Sequence, residues 1–120
     1  MKKTCKHPKK DGNKVILQIK HSGVKVKNKE KFGPSSITPD INELTNQEIN
    51  QIIKDFGIST KKAFLAGFDG VEIHGANHYL LQQFMSKNTN RRNDSWGGNL
   101  SKRMNFPIEV VKEVKNLYLN

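Results

Sequence analysis

The 120 residues allow one small domain with its own core and fall short of the roughly 200 or more that a complete (β/α) barrel takes. Hydrophobic residues at 34% and a mean hydropathy of −0.71 give a wet but foldable composition, with no apolar run near the ~20 residues that cross a bilayer, so a cytoplasmic protein is expected. The formal net charge of +10 is concentrated at one end: residues 1–31 hold eleven lysines against Asp11 and Glu30, which leaves the rest of the chain almost neutral.

Residues 1–13 read as a basic, irregular N-terminal segment, with Pro8 inside it and no apolar stretch of the kind a signal peptide carries. Such an arm contacts phosphates non-specifically. No aromatic precedes Phe32 to stack on bases, so a weak basic nucleic-acid binder is the lesser alternative. The lone Cys5 excludes an internal disulfide and any multi-cysteine metal site; no metal is expected.

After the turn signal Asp11-Gly12-Asn13, the run Val15-Ile16-Leu17-Gln18-Ile19 predicts a buried parallel strand that ends at Gln18, His21, Ser22 and Gly23. A lysine-rich stretch then leads to Gly33-Pro34-Ser35-Ser36, a loop by composition. Thr45-Asn46-Gln47-Glu48 fits a capping box, and Ile49, Ile52, Ile53, Phe56, Ala63 and Phe64 recur as one apolar helical stripe, with Gly67 placed to terminate it. Gly57 inside that helix costs up to about 1 kcal/mol against alanine, which packing must offset.

A second strand is expected over 70–74, with Val71, Glu72 and Ile73 between glycines. The order strand, loop, helix, strand makes a parallel pair with a right-handed crossover. Leu80, Leu81 and Phe84 suggest a short helix. A polar loop from Asn88 to Gly98 follows, in which Arg91, Arg92 and Asp94 are expected to tie the loop down and Trp96 to pack. From about Leu100, Met104, Ile108, Val111, Val114 and Leu117 mark a last helix, with a kink or late start at Pro107.

His74, Asn77 and Tyr79 directly follow the second strand. Ligands and catalytic groups of α/β proteins gather at the C-terminal ends of parallel strands, so these three hydrogen-bonding side chains are the candidate site.

The stretch Gly-Phe-Asp-Gly-Val-Glu-Ile-His-Gly-Ala-Asn at 67–77, continued by Tyr79-Leu80, Gln83-Phe84, Asn90-Arg91-Arg92, Asp94, Gly97-Gly98, Arg103 and Phe106, closely resembles the Old Yellow Enzyme family of FMN-dependent NADH:flavin oxidoreductases. Upstream the resemblance takes in Leu17-Gln18, His21, Gly23 and Gly33-Pro34-Ser35, so that it covers roughly residues 14–115. It implies an α/β fold, a partial (β/α)8 TIM barrel of about two βα units over residues 14–120. It also implies FMN as cofactor, NAD(P)H as reductant, and an activated alkene or nitro compound as the small-molecule substrate. By the same resemblance His74 and Asn77 would bind the substrate's carbonyl or nitro oxygen, Tyr79 would act as the catalytic proton donor, and Gln18 would bind the flavin.

Lys20 stands where the family commonly has an aromatic, Val24 where arginine is common, and Lys87 where proline is common. By the same comparison Met1 falls where a barrel helix would be under way and Asn120 before the next strand. An internal slice of the barrel, inactive alone, is therefore expected. Its free strand edges would call for a homo-oligomer or a complementing barrel fragment.

Overall fold

The computed structural model describes residues 11–119. Strands β1 (Ile16–Ile19) and β4 (Gly70–Ile73) pair in parallel, Ile16 opposite Gly70 and Ile19 opposite Ile73. Helix α1 (Asn46–Leu65) connects them across one face, as the predicted strand-helix-strand unit requires. This is an open unit and no closed barrel: its radius of gyration, 15.9 Å, exceeds the roughly 13–14 Å of a closed domain of this length.

The connection from β1 to α1 carries a second parallel pair that composition did not disclose, β2 (Lys31–Gly33) and β3 (Ile41–Glu43). Seven residues suffice to return the chain, because each strand has only three residues to retrace. Gly33 is thus the end of a strand, and the loop begins at Pro34.

Both ends of α1 follow from side-chain chemistry. Thr45 Oγ1 accepts from the Glu48 amide at 3.2 Å, and the Glu48 carboxylate accepts from the Thr45 amide at 2.8 Å, which completes the expected capping box. At the other end Gly67 takes φ +95°, its amide bonding to Phe64 O while the Phe68 amide bonds to Ala63 O, the two bonds of a Schellman turn. Replacing Thr45 by alanine is expected to lower the urea midpoint of unfolding, corresponding to about 1 kcal/mol; an unchanged midpoint would show that the box contributes nothing.

Helix α2 (Leu80–Met85) follows β4 as predicted. The last helix is divided: α3 (Leu100–Arg103) ends at Met104, and α4 (Asn105–Leu119) restarts with Pro107 in its first turn, where the missing N–H loses no helical bond. The late start is therefore correct. The apolar stripe assigned to this helix needs correction, because Phe106, Val110 and Val114 are the buried positions while Ile108 and Val111 are exposed. Alpha-helix α4 is apolar on two sides, and only one of them meets α1. Phe64, placed in the α1 stripe, is likewise exposed, with its ring edge-on to Tyr118 at 6.0 Å.

The core joins α1, α2 and α4 through Ile49, Ile53, Phe56, Leu80, Phe84 and Phe106, with the Phe84 and Phe106 rings 4.3 Å apart. Each such side chain stabilises by about 1.5–3 kcal/mol when fully buried. Gly57 has its reason here: a Cβ at this position would stand 2.4 Å from Leu117 Cδ1, so the glycine lets α1 and α4 approach.

The strands were expected to be buried on both faces, and they are not. Ile19, Val71 and Ile73 pack on the core, whereas Ile16, Gln18 and Glu72 project from the opposite, exposed face. Helices cover only one side of the pair. The open side leads to the candidate site.

Candidate active site at the end of the parallel pair

Extending β4 by one residue brings in His74, whose amide bonds to Ile19 O at 2.9 Å and so prolongs the pairing with β1. The chain then reverses sharply. Asn77 and His78 both adopt left-handed conformations, φ 55° and 60°, before the Leu80 amide bonds to His21 O and α2 begins. Two consecutive non-glycine residues with positive φ are uncommon and mark a backbone held by its surroundings. One holder is Gln82, whose Oε1 accepts from the His78 amide at 2.8 Å.

This turn gathers the three predicted residues. His74 Nδ1 accepts from the Ala76 amide at 3.2 Å, which assigns the proton of the neutral ring to Nε2. His74 Nε2 lies 3.3 Å from Asn77 Nδ2. Oriented in this way, the two nitrogens are both donors, side by side. With the proton on Nε2 neither nitrogen can accept from the other, and one oxygen placed against both would satisfy the pair. The Tyr79 ring stands edge-on to the His74 ring, centroids 5.0 Å apart.

Above Tyr79 lies a residue that the sequence marked only as a departure from pattern. Lys20, the residue after β1, places its ammonium 3.8 Å from the Tyr79 ring centroid. Hydrogen bonding and proximity to this ammonium hold the Tyr79 phenol below its ordinary range, and Lys25 adds to the effect.

Gln18 shares the exposed face of the strands but does not join the cluster. Its Nε2 donates to Glu72 Oε1 at 2.5 Å, directly across the β1–β4 register. A flavin is a planar ring whose pyrimidine edge offers both donors and acceptors, and an exposed strand face with an amide at one end and a pair of N–H donors beyond it fits that chemistry.

His21 stands behind the site as a support. Burial lowers its pKa, against the opposing pull of Asp55, and its Nδ1 accepts from the Gly23 amide at 3.0 Å. The neutral ring therefore shapes the turn at Ser22-Gly23.

The most connected support was not singled out from the sequence. Gln83, buried on α2, donates to Ser22 O and His78 O and accepts from the Val24 amide, so one side chain ties the loop after β1 to the loop after β4. Gly23, at φ +59°, permits this contact: a Cβ there would lie 2.1 Å from Gln83 Oε1. A polar residue at an inward helical position before Phe84 was the available signal.

The loop from Asn88 to Gly98 behaves as expected of Arg92, Asp94 and Trp96. Arg92 bonds to Pro34 O, Leu44 O and both oxygens of Asp94, while Trp96 is buried with its Nε1 donating to Asn46 Oδ1. Arg91 contributes only its amide, to Ser35 Oγ, and its side chain is exposed. Among the described residues no cluster of His, Cys, Asp and Glu could hold a metal, and no helix is long and apolar enough to cross a membrane.

Comparison with known proteins gives one consistent result. A model described as the NADH:flavin oxidoreductase / NADH oxidase family matches residues 1–118. A probable NADH-dependent flavin oxidoreductase of Bacillus subtilis, YqiG, is 44% identical over 124 residues, covering 96% of this chain and 33% of the relative. An NADPH dehydrogenase of Clostridium acetobutylicum is 41% identical, with 94% and 35% covered. Among solved structures, morphinone reductase in complex with tetrahydroNAD superposes with a TM-score of 0.81 at 30% identity, over 89% of this chain and 37% of that one. The chain spans about a third of the length of these relatives.

Proposed function

Because the chain belongs to the NADH:flavin oxidoreductase / NADH oxidase family, the Old Yellow Enzyme group of (β/α)-barrel oxidoreductases that use FMN with NAD(P)H as reductant, we propose that it forms the substrate-polarising quarter of an ene- or nitro-reductase site. The observation that carries this reading is the donor pair, His74 Nε2 and Asn77 Nδ2, 3.3 Å apart at the end of β4.

Bound FMN supplies a hydride to the β-carbon of an activated alkene or to a nitro group, and NAD(P)H restores it. The chain's own residues do the rest. As hydride arrives, negative charge develops on the carbonyl or nitro oxygen, and His74 and Asn77 donate to that oxygen. Donors fixed in advance by the Ala76 amide and the left-handed turn need no reorganisation, which is the condition for oxyanion stabilisation to be a large contribution. Tyr79 gives its phenolic proton to the α-carbon, completing addition of hydride and proton across the double bond. Gln18 holds the pyrimidine edge of the flavin with its amide, released from Glu72 or shared with it.

A second reading has its own support. The outer edges of β1 and β4 carry no paired strand among the described residues, and Val71, Ile73, Val111, Val114 and Tyr118 line an open apolar groove beside β4. On this reading the chain is a complementing or self-assembling barrel segment, inactive by itself, whose site is completed by strands from another chain or another copy.

The test is the visible spectrum of the full chain after incubation with FMN and desalting, recorded across fractions sized by light scattering. The catalytic reading expects a retained flavin band in an assembled fraction, diminished by Gln18→Ala. No flavin in any fraction would leave a barrel segment without catalysis. A monomer binding FMN at low micromolar concentration or tighter would instead remove the need for complementation.

A further inference from the structure

We propose that Lys20 is a specificity-determining residue of the site, holding the Tyr79 ring and receiving a carboxylate of the substrate, so that the site takes α,β-unsaturated carbonyl compounds that also carry an acid group. The inference rests on the catalytic reading above and deepens it. Three observations carry it.

The first is position. Lys20 follows β1 as His74 follows β4, so the two residues continue neighbouring strands of one parallel pair. The ammonium lies 3.8 Å from the centroid of the Tyr79 ring, and that ring stands 5.0 Å from the His74 ring. Lys20, Tyr79 and His74 therefore stand in one contiguous row at the strand ends. A substrate with its carbonyl oxygen on His74 and Asn77 brings a substituent on its far end towards the ammonium.

The second is the absence of a competing anion. Among the described ion pairs, none involves Lys20. Glu72, the carboxylate next below on the exposed strand face, is engaged by Gln18, and Asp55, which lines a cavity with Lys20, forms no ion pair with it among those described. An exposed ammonium held over an aromatic face is fixed in place without being neutralised, a poised site for an anion.

The third is the sign of the surrounding field. Lys20 and Lys25 both place positive charge at Tyr79 and hold its phenol below the ordinary range. A neutral substrate gains nothing from this charge. A carboxylate does, and it also gains in encounter rate. The same ammonium stabilises the phenolate left when Tyr79 gives up its proton.

The full chain offers a clean test, since Tyr79 and Tyr118 are its two tyrosines. Ultraviolet titration of tyrosinate, with Tyr79→Phe to identify the Tyr79 component, should show that phenol ionising below the ordinary range, and Lys20→Met should move it upward while Lys20→Arg does not. An unmoved Tyr79 titration in Lys20→Met overturns the positioning role, whatever the fate of the catalytic reading.

The second arm uses (E)-4-oxopent-2-enoate and its methyl ester as probes, each added with FMN to the labelled chain and followed through the Tyr79 ring resonances. The acid should bind at least tenfold more tightly than the ester, and Lys20→Met should equalise them. Equal binding to the unmodified chain, or an acid preference that survives Lys20→Met, overturns the specificity role alone. Failure of both probes to bind overturns it together with the catalytic reading, and the tyrosine titration separates these two failures.

Discussion

Replacing Arg92 by leucine is expected to lower the unfolding free energy by about 3–5 kcal/mol, a large part of the 5–15 kcal/mol typical of a whole domain. The side chain of Arg92 is 7% exposed, and its guanidinium satisfies three separate pieces of chain. Nη1 donates to Pro34 O at 3.0 Å and to Leu44 O at 2.6 Å, while Nε and Nη2 grip Asp94 in a two-pronged contact, the shortest bond 2.6 Å. Leucine fills much of the volume but leaves two carbonyls without a donor in a place that water reaches poorly, and that asymmetry makes the loss large. Lysine keeps the charge and cannot reproduce the fork, so Arg92→Lys should recover only part of the loss. Urea unfolding followed by far-ultraviolet circular dichroism measures both variants. A leucine variant within 1 kcal/mol of the parent would mean that the loop from Asn88 to Gly98 is held by Asn90 and Trp96 alone.

The same pair sets a pH dependence with a definite sign. The Arg92 guanidinium holds the Asp94 carboxyl below its ordinary range. A carboxylate with a depressed folded pKa contributes stability that is fully present above its unfolded value, near 4, and is lost as pH falls through the folded value. The parent should therefore lose this increment between roughly pH 5 and the acid limit, whereas Arg92→Leu, in which the Trp96 and Asp94 amides remain to favour the carboxylate but the guanidinium does not, should show a flatter profile there. Because Asp94 is 43% exposed, solvent screens the effect and the slope is modest.

How much of this was legible beforehand depended on whether the signal was local. The capping box at Thr45 and Glu48, the glycine stop at Gly67 and the restart at Pro107 are set by residues within four positions of one another, and each is found where the sequence puts it. His74, Asn77 and Tyr79 were legible as a cluster because a strand end concentrates them within six residues. The three-residue strands β2 and β3 were not, since three residues are too few to establish an alternation. The exposure of Phe64, Ile108 and Val111 was hidden for a different reason: periodicity identifies an apolar face but not whether a neighbour exists to cover it. Lys20 needed the third dimension altogether, and Gln83 offered only the sign of a polar residue at an inward helical position. Lys20 meets Tyr79 from 59 positions away in the chain, and Gln83 reaches Ser22 and Val24 from about as far.

Removing either donor of the His74–Asn77 pair should lower kcat of the assembled, FMN-bearing protein by roughly 10²–10³-fold, the usual consequence of deleting one oxyanion donor. The choice of variant decides whether the experiment can be interpreted. Asn77 sits at φ 55°, so alanine would remove the amide and also strain the backbone, whereas glycine removes the amide and adopts that conformation freely. Asn77→Gly is thus the clean deletion, and since Asn77 is exposed its circular dichroism and urea midpoint should stay close to those of the parent. His74→Leu removes the other donor and leaves the Ala76 amide without its acceptor, so a small loss of stability should accompany its loss of rate. If the two nitrogens act on one oxygen, the double variant should lose little more than the worse single one, because an acceptor that has lost its geometry gains little from the donor that remains. Losses that multiply would mean that His74 and Asn77 serve different atoms of the substrate. A loss below about threefold in Asn77→Gly would take Asn77 out of the oxyanion site, leaving His74 to polarise the substrate with the charge of Lys20 beside it.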